Sequence, residues 1–310
     1  MSNILIIKHG SLGDLIQANG AIKDIKNFYP NRKVFLLTTQ PYSIFMSECP
    51  YIDGVLIDKR LPRWNLFYLN NLRKTLLKYD FSKVFDLQNS SRTKFYKRFI
   101  IKKVEWSSTE TALDPGQKKS DFDDEPVLDR MEIQLKKSGV KTEFTKNIDL
   151  SWAVENTSHL VKKYTNREYI LLFPFCSPKL KNKKWPYYKE LIQKLKQEFK
   201  NKYSVLLAPG PSEIKEANEL NAKVILENNE HVTLKTLVSL INSAKLIIAN
   251  DTGPAHIASH LDKKGLVLFG SHTSAKKVSI ENFNFKALSV KNLNDLDVNT
   301  VLNEVKAKLD

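Results

Sequence analysis

"LIIANDTGPAHIASHL", running from Leu246 to Leu261, reads as a buried strand, a turn and a helix. The strand ends at Asn250, and Asp251, Thr252 and Gly253 form the turn. Pro254 suits the first helical position, because its φ is preset and the N–H it lacks would be unpaired there. The free N–H groups of such a turn and the positive end of the helix make a natural anion site. Gly253 lets the backbone come close to a phosphate. Asp251 would repel that phosphate, so its expected work is to orient the turn or a sugar hydroxyl. His256, in the first helical turn, is expected to face the same cleft. A capped βα turn without a ligand is the plain alternative, since such turns are common in doubly wound folds.

The start of the chain repeats this design. "ILIIKHGSLGDLIQANGAI", at 4–22, is an apolar strand, a short loop with Gly13 and Asp14, and a helical pattern. An acid at a helix N-terminus stabilises it by ~0.3–1 kcal/mol, which accounts for Asp14 alone. It does not account for a matching turn at a strand end in the other half. Ligands in open α/β sheets bind outside the carboxyl ends of the strands.

Working outward, apolar runs recur at 34–37, 55–57, 83–87, 169–173, 204–208, 222–226 and 265–269, with amphipathic stretches between several of them. Short β-rich runs alternating with helical patterns predict parallel sheets. The pattern appears twice, which predicts an α/β protein of two Rossmann-like domains facing across a cleft, residues 1–155 and 156–310. A terminal helix at Val298–Leu309 is expected to pack back across the join. The polar stretch 107–126, with "DFDDE" at 121–125, is expected to be an irregular, mobile loop.

The 310 residues carry a formal net charge of +15. Such a field attracts anions, whether nucleic acid, acidic headgroups or phosphorylated small molecules; a generally lysine-rich surface is the simpler cause. Cys49 and Cys176 are the only cysteines, so neither a disulfide framework nor a cysteine zinc site is supported. No apolar run reaches the ~18 residues of a membrane span, and a cytoplasmic location is expected. Gly-x-Gly-x-x-Gly after the first strand and the P-loop pattern are both missing from the sequence, as is paired histidine spacing of the zincin type.

In "KLKNKKWPYYKELIQKL", at 179–195, Lys179, Lys181, Lys183 and Lys184 crowd a loop before a helix entered at Trp185 and Pro186. A lysine there can neutralise phosphate as a point cation; a solvated basic loop is the alternative for any one of them. "RTKFYKRFIIKK", at 92–103, has six basic residues and no acid. It reads as a helix with aromatics in the core and charges toward an acidic acceptor or a membrane surface, or else toward RNA.

Taken together, the opening stretch, "FDLQNSSRTK" at 85–94, "KKWPYYKELIQKL" and "NDTGPAHIASHL" resemble the heptosyltransferase family of inverting glycosyltransferases, which has the GT-B fold. The match spans both halves in the right order, and its turns are specific in combination. The resemblance implies transfer of a sugar, typically heptose from ADP-heptose, to a lipopolysaccharide-type glycolipid, without metal or other cofactor. It implies Asp14 as catalytic base, Lys183 on donor phosphate, and Thr252 and Gly253 as a backbone phosphate cradle. Asp251 and His256 match positions at the donor sugar and phosphate. Glu213, with Gly210 in "APGPSEIKEA", resembles the loop near the ribose, and Arg92 fits an acceptor-side position. The implied partners are a nucleotide-sugar donor, an anionic glycolipid and an anionic membrane at the inner face of the inner membrane, with no nucleic acid. The chain departs from the family at Pro174–Ser177 and at "FGSHTSAKK", 269–277. A non-catalytic GT-B-like binding protein for nucleotide sugars or anionic glycans is the alternative.

Overall fold

A computed structural model describes residues 2–177 and 180–309. Two compact units divide between Trp152 and Ala153. In the first, β1 (Asn3–Ile7), β2 (Val34–Thr38), β3 (Gly54–Ile57), β4 (Phe81–Asp86) and β5 (Glu105–Ser107) form one parallel sheet. Its order is β3-β2-β1-β4-β5. Leu5 faces Phe35 on one side and Val84 on the other. Ile4 to Ile7 are fully buried, as expected of a central strand covered on both faces.

In the second unit, β6 (Glu168–Phe173), β7 (Tyr203–Leu207), β8 (Lys223–Val224), β9 (Leu246–Asn250), β10 (Gly265–Phe269) and β11 (Phe285–Ser289) run parallel in the order β11-β10-β9-β6-β7-β8. In both sheets the strand order therefore reverses beside the first strand, between β1 and β4 and between β6 and β9. Those reversals are where open α/β sheets open a crevice for ligands. The loops after β1, β4, β6 and β9 thus have a structural reason to carry chemistry.

The second core gathers around Trp185, which is fully buried and donates its indole N–H to the Leu296 carbonyl at 2.8 Å. This bond answers the need of a buried indole for an acceptor. The helix Val298–Leu309, expected at the join, instead buries Val301, Val305 and Leu309 in this core beside the helix Tyr188–Glu198.

Several expectations change. The helical pattern after β1 is two helices, Leu12–Gln17 and Asn19–Phe28. The 107–126 segment is ordered into helices Thr109–Ala112 and Lys119–Asp124, anchored by the buried Phe122. Its aspartates are engaged: Asp123 pairs with Lys119 and Arg130. The basic helix covers Ser91–Phe99, stopping short of 103. Tyr96 is buried there as expected, whereas Phe99 is exposed.

Candidate active site

In the second unit the site begins with a buried amide. Asn250 closes β9, donates to the Pro174 carbonyl at 2.9 Å, and accepts from the Trp185 backbone N–H at 3.2 Å. One side chain thereby ties the loop after β9 to the loop after β6. That tie sets the single turn Lys181–Lys183 beside Asp251. Lys183 Nζ lies 2.6 Å from Asp251 Oδ2. His272 Nε2 is 2.9 Å from the same oxygen, and His256 Nε2 is 3.7 Å from Oδ1. Asp251 is buried. Burial alone would raise its pKa, but hydrogen bonds from His256 and Lys183, with their charges, hold it well below the usual carboxylate range. The carboxylate that seemed to oppose a phosphate is thus compensated by a cation at contact distance. An ammonium has three donors, and Asp251 engages one of them.

His272 did not stand out in the sequence. It follows β10, stacks on Phe269 with centroids 5.7 Å apart, and reaches Asp251 from the adjacent strand end. The only signal was its place in a segment that departs from the family pattern.

Thr252 is the residue before the helix Gly253–His260, and its side chain makes no capping bond to that helix. Its hydroxyl donates to the Asn250 carbonyl at 3.2 Å. Gly253 is the first helical residue and does not have the positive φ of Gly10, Gly116 and Gly139. Any need for glycine at 253 is therefore one of space. Glu213 accepts from the Gly210 N–H at 2.8 Å and closes the loop after β7; burial chiefly raises its pKa. Among the described residues its contacts hold that loop and do not include the Asp251 cluster. Lys179 lies outside the described residues. Lys184 pairs with Glu216.

In the first unit, Asp14 occupies the third position of the helix Leu12–Gln17. Its Oδ2 accepts from the Ser11 N–H at 2.8 Å and the Ser11 hydroxyl at 2.9 Å, so the capping function is real. The carboxylate is still 44% exposed, and Lys8 Nζ stands 4.0 Å from Oδ1. Lys8 is buried and donates to the Leu87 carbonyl at 3.0 Å. Burial pulls its pKa down against the charges of Asp14 and Asp86. Gln88 accepts from the His9 N–H at 2.9 Å. The loops after β1 and β4 are therefore stitched together at the reversal of this sheet.

A second buried carboxylate was not anticipated. Asp58, just past β3, lies 2.8 Å from His9 Nε2 and accepts from the Tyr96 hydroxyl at 2.7 Å and from Tyr68. Burial would raise its pKa, yet the His9 and Tyr68 bonds bring it down to about 2. Arg92 donates to Tyr96 at 3.0 Å and to the carbonyls of Arg60 at 3.2 Å and Leu61 at 3.0 Å. Its guanidinium holds the segment after β3.

Two parallel-sheet α/β units of this topology match the GT-B fold, and the comparisons agree. The Escherichia coli heptosyltransferase WaaC with ADP-2-deoxy-2-fluoro heptose has a similar fold, with a TM-score of 0.72 at 17% identity, over 98% of this chain and 99% of that one. A glycosyl transferase family 9 structure from Veillonella parvula gives 0.78 at 15% identity, over 99% of this chain and 97% of that one. By sequence, lipopolysaccharide heptosyltransferase 1 of Campylobacter coli is 22% identical, covering 91% of this chain and 87% of its own length. Residues 69–296 match glycosyltransferase family 9 (heptosyltransferase), and the chain belongs to that family. It is a glycosyltransferase.

Proposed function

We propose that the enzyme transfers heptose from ADP-heptose, with inversion, to a hydroxyl of a lipopolysaccharide-type glycolipid. The first unit takes the acceptor and the second the donor. Asp14 accepts the acceptor's hydroxyl proton as that oxygen bonds to the anomeric carbon. The bond from the anomeric carbon to the diphosphate oxygen breaks on the opposite face, and ADP leaves with the electron pair. Lys183 and the helix start at Thr252 and Gly253 carry the charge growing on the diphosphate. His256 and Asp251 orient the donor end, with Glu213 toward the ribose and Arg92 toward the acceptor. The work takes place on the cytoplasmic face of an anionic membrane, with peripheral contact. The relatives' heptosyltransferase activity and the exposed Asp14 support this reading.

The observation that carries it is the 2.6 Å Lys183–Asp251 contact beside an uncapped helix start at the sheet reversal. A cation there supports the reading of a diphosphate site. The same Ser11–Asp14 bonds that cap the first helix also favour a second reading, a silent protein that binds nucleotide sugar without transfer. Incubation with ADP-heptose and a deacylated lipopolysaccharide-core acceptor separates the two. The enzyme releases ADP and yields acceptor one heptose heavier, with inverted linkage by NMR. A silent protein binds ADP and does neither.

A further inference from the structure

The helix Leu66–Leu77 starts where Asn65 accepts from the Tyr68 N–H at 2.9 Å, and it buries Tyr68, Leu69, Leu72 and Leu76 against the first sheet. Its outer side is polar along the middle, at Asn70, Asn71, Arg73, Lys74 and Thr75, but the first turn departs from the polar face that a surface helix ordinarily shows. Leu66 and Phe67 are exposed at 75% and 78%, and Trp64, just before them, at 83%. Leu61, Ile57 and Leu77 are also exposed. Trp64, Leu66 and Phe67 fall within four positions of sequence, and soluble proteins seldom leave large apolar side chains grouped in water without a use for them.

Two further features say what the use is. Between Asp58 and Asp80 the chain has Lys59, Arg60, Arg63, Arg73, Lys74 and Lys78 and no acid. None of these six forms an ion pair among the described residues; Arg63 bonds the Ser91 hydroxyl at 2.8 Å. The contrast is with Ser91–Phe99, where Lys94 and Lys97 share Glu110 and Arg92 holds backbone carbonyls. In addition, Leu56, Ile57, Leu61, Phe67, Leu72 and Leu76 line a groove of about 240 Å³ that Lys59, Asn65, Asn71 and Thr75 edge with polar groups.

We propose that the segment from Lys59 to Lys78 is a docking surface for anionic phospholipid membrane. Trp64, Leu66 and Phe67 enter the headgroup–acyl boundary, the six cations meet lipid phosphates, and the groove receives part of an acyl chain. Trp belongs at that boundary because its ring is apolar and its N–H wet. Apolar burial and attraction to anionic lipid together give the affinity that either alone gives poorly. The inference rests on the peripheral-membrane part of the proposed function, independent of the sugar chemistry, and moves the contact from 92–103 to 59–78. Tyr68 lines the groove and also bonds Asp58, so this surface adjoins the buried network behind the loop of Asp14.

The test is flotation of the full chain with phosphatidylglycerol-containing and with pure phosphatidylcholine vesicles. Three proteins are compared: wild type, Trp64→Ser/Phe67→Ser, and Lys97→Gln/Arg98→Gln/Lys102→Gln/Lys103→Gln. Both apolar side chains are exposed, so the fold should survive their loss. Wild type is expected to float with the anionic vesicles and less so with added salt. The Trp64/Phe67 variant should lose at least about tenfold in partitioning, and the four-glutamine variant should keep most of its binding. Tryptophan emission should shift to the blue on anionic vesicles in wild type and in the single variant Phe67→Ser, but not in Trp64→Ser. Flotation of wild type unchanged by the Trp64/Phe67 pair overturns this placement alone. Failure of wild type to float at low salt overturns peripheral membrane contact altogether. Self-association lost in the Trp64/Phe67 variant, without flotation of wild type, assigns the patch to a second copy and also overturns the proposal.

Discussion

The Lys183 ammonium lies 2.6 Å from the Asp251 carboxylate, across 68 positions of sequence. Lys181, in the same short turn, has no acidic partner among the described residues and stays exposed. Charge counting treats the two alike; geometry does not. Losing a charge-assisted bond at a partly buried site costs about 1.5–3 kcal/mol. We predict that Lys183→Ala lowers turnover about 10- to 100-fold and weakens ADP binding, whereas Lys181→Ala changes either less than about threefold. Steady-state kinetics and calorimetry on both variants decide it. Equal losses would make the turn a diffuse basic surface.

Gly253 tests the anion cradle. It sits first in its helix without a positive φ, so Ala is tolerated by the backbone and is the better helix former by up to about 1 kcal/mol. We predict that Gly253→Ala melts no lower than wild type. Gly253→Val places a branched side chain where the proposed diphosphate approaches the turn and should weaken ADP binding at least about tenfold. Unchanged ADP affinity in a folded Gly253→Val protein would remove the phosphate from this turn.

Much of this was legible in the sequence, for identifiable reasons. Central strands such as Ile4–Ile7 and Leu246–Asn250 are buried on both faces and read as unbroken apolar runs. β5 is three residues long, and β11 alternates weakly because it is an edge strand with one buried residue; neither carries a run. Asp14, Lys183 and Asp251 stood beside turns that the local pattern marks. His272 and the His9–Asp58 pair did not, because they meet only through strand order. His272 arrives from the strand next to β9, and His9 meets Asp58 across β2. Pairing of that kind is a property of the sheet, not of any window of sequence.

Asp58 gives a pH signature. Its pKa of about 2 lies below the ordinary 3.8, so its charge stabilises the folded state. A depressed carboxylate contributes fully above its unfolded pKa, and the contribution fades as pH falls through the folded one. The shift corresponds to about 2 kcal/mol, present above pH ~4 and gone near pH ~2. We predict that Asp58→Asn unfolds earlier than wild type near neutrality, and that the gap closes as pH drops from about 4 toward 2. A gap constant with pH would mean that packing, not charge, is what Asp58 supplies.

Asp14 both caps a helix and stands exposed at a sheet reversal, and one substitution parts the two roles. At the third helical position an asparagine side-chain oxygen can still accept from the Ser11 N–H, so the fold loses only the helix-end charge effect of about 0.3–1 kcal/mol. What asparagine loses is the capacity to hold a proton taken from an acceptor hydroxyl. A positioned general base contributes about 10²–10⁴-fold. Asp14→Asn should therefore melt within a degree or two of wild type, bind ADP with unchanged affinity, and transfer sugar slower by about that factor. The proposed donor site is on the other unit, so its affinity serves as the internal control. Single-turnover measurements are the proper readout, since product release can hide a slowed chemical step. Wild-type transfer by Asp14→Asn, with chemistry rate-limiting, would leave Asp14 as a cap and put the base elsewhere.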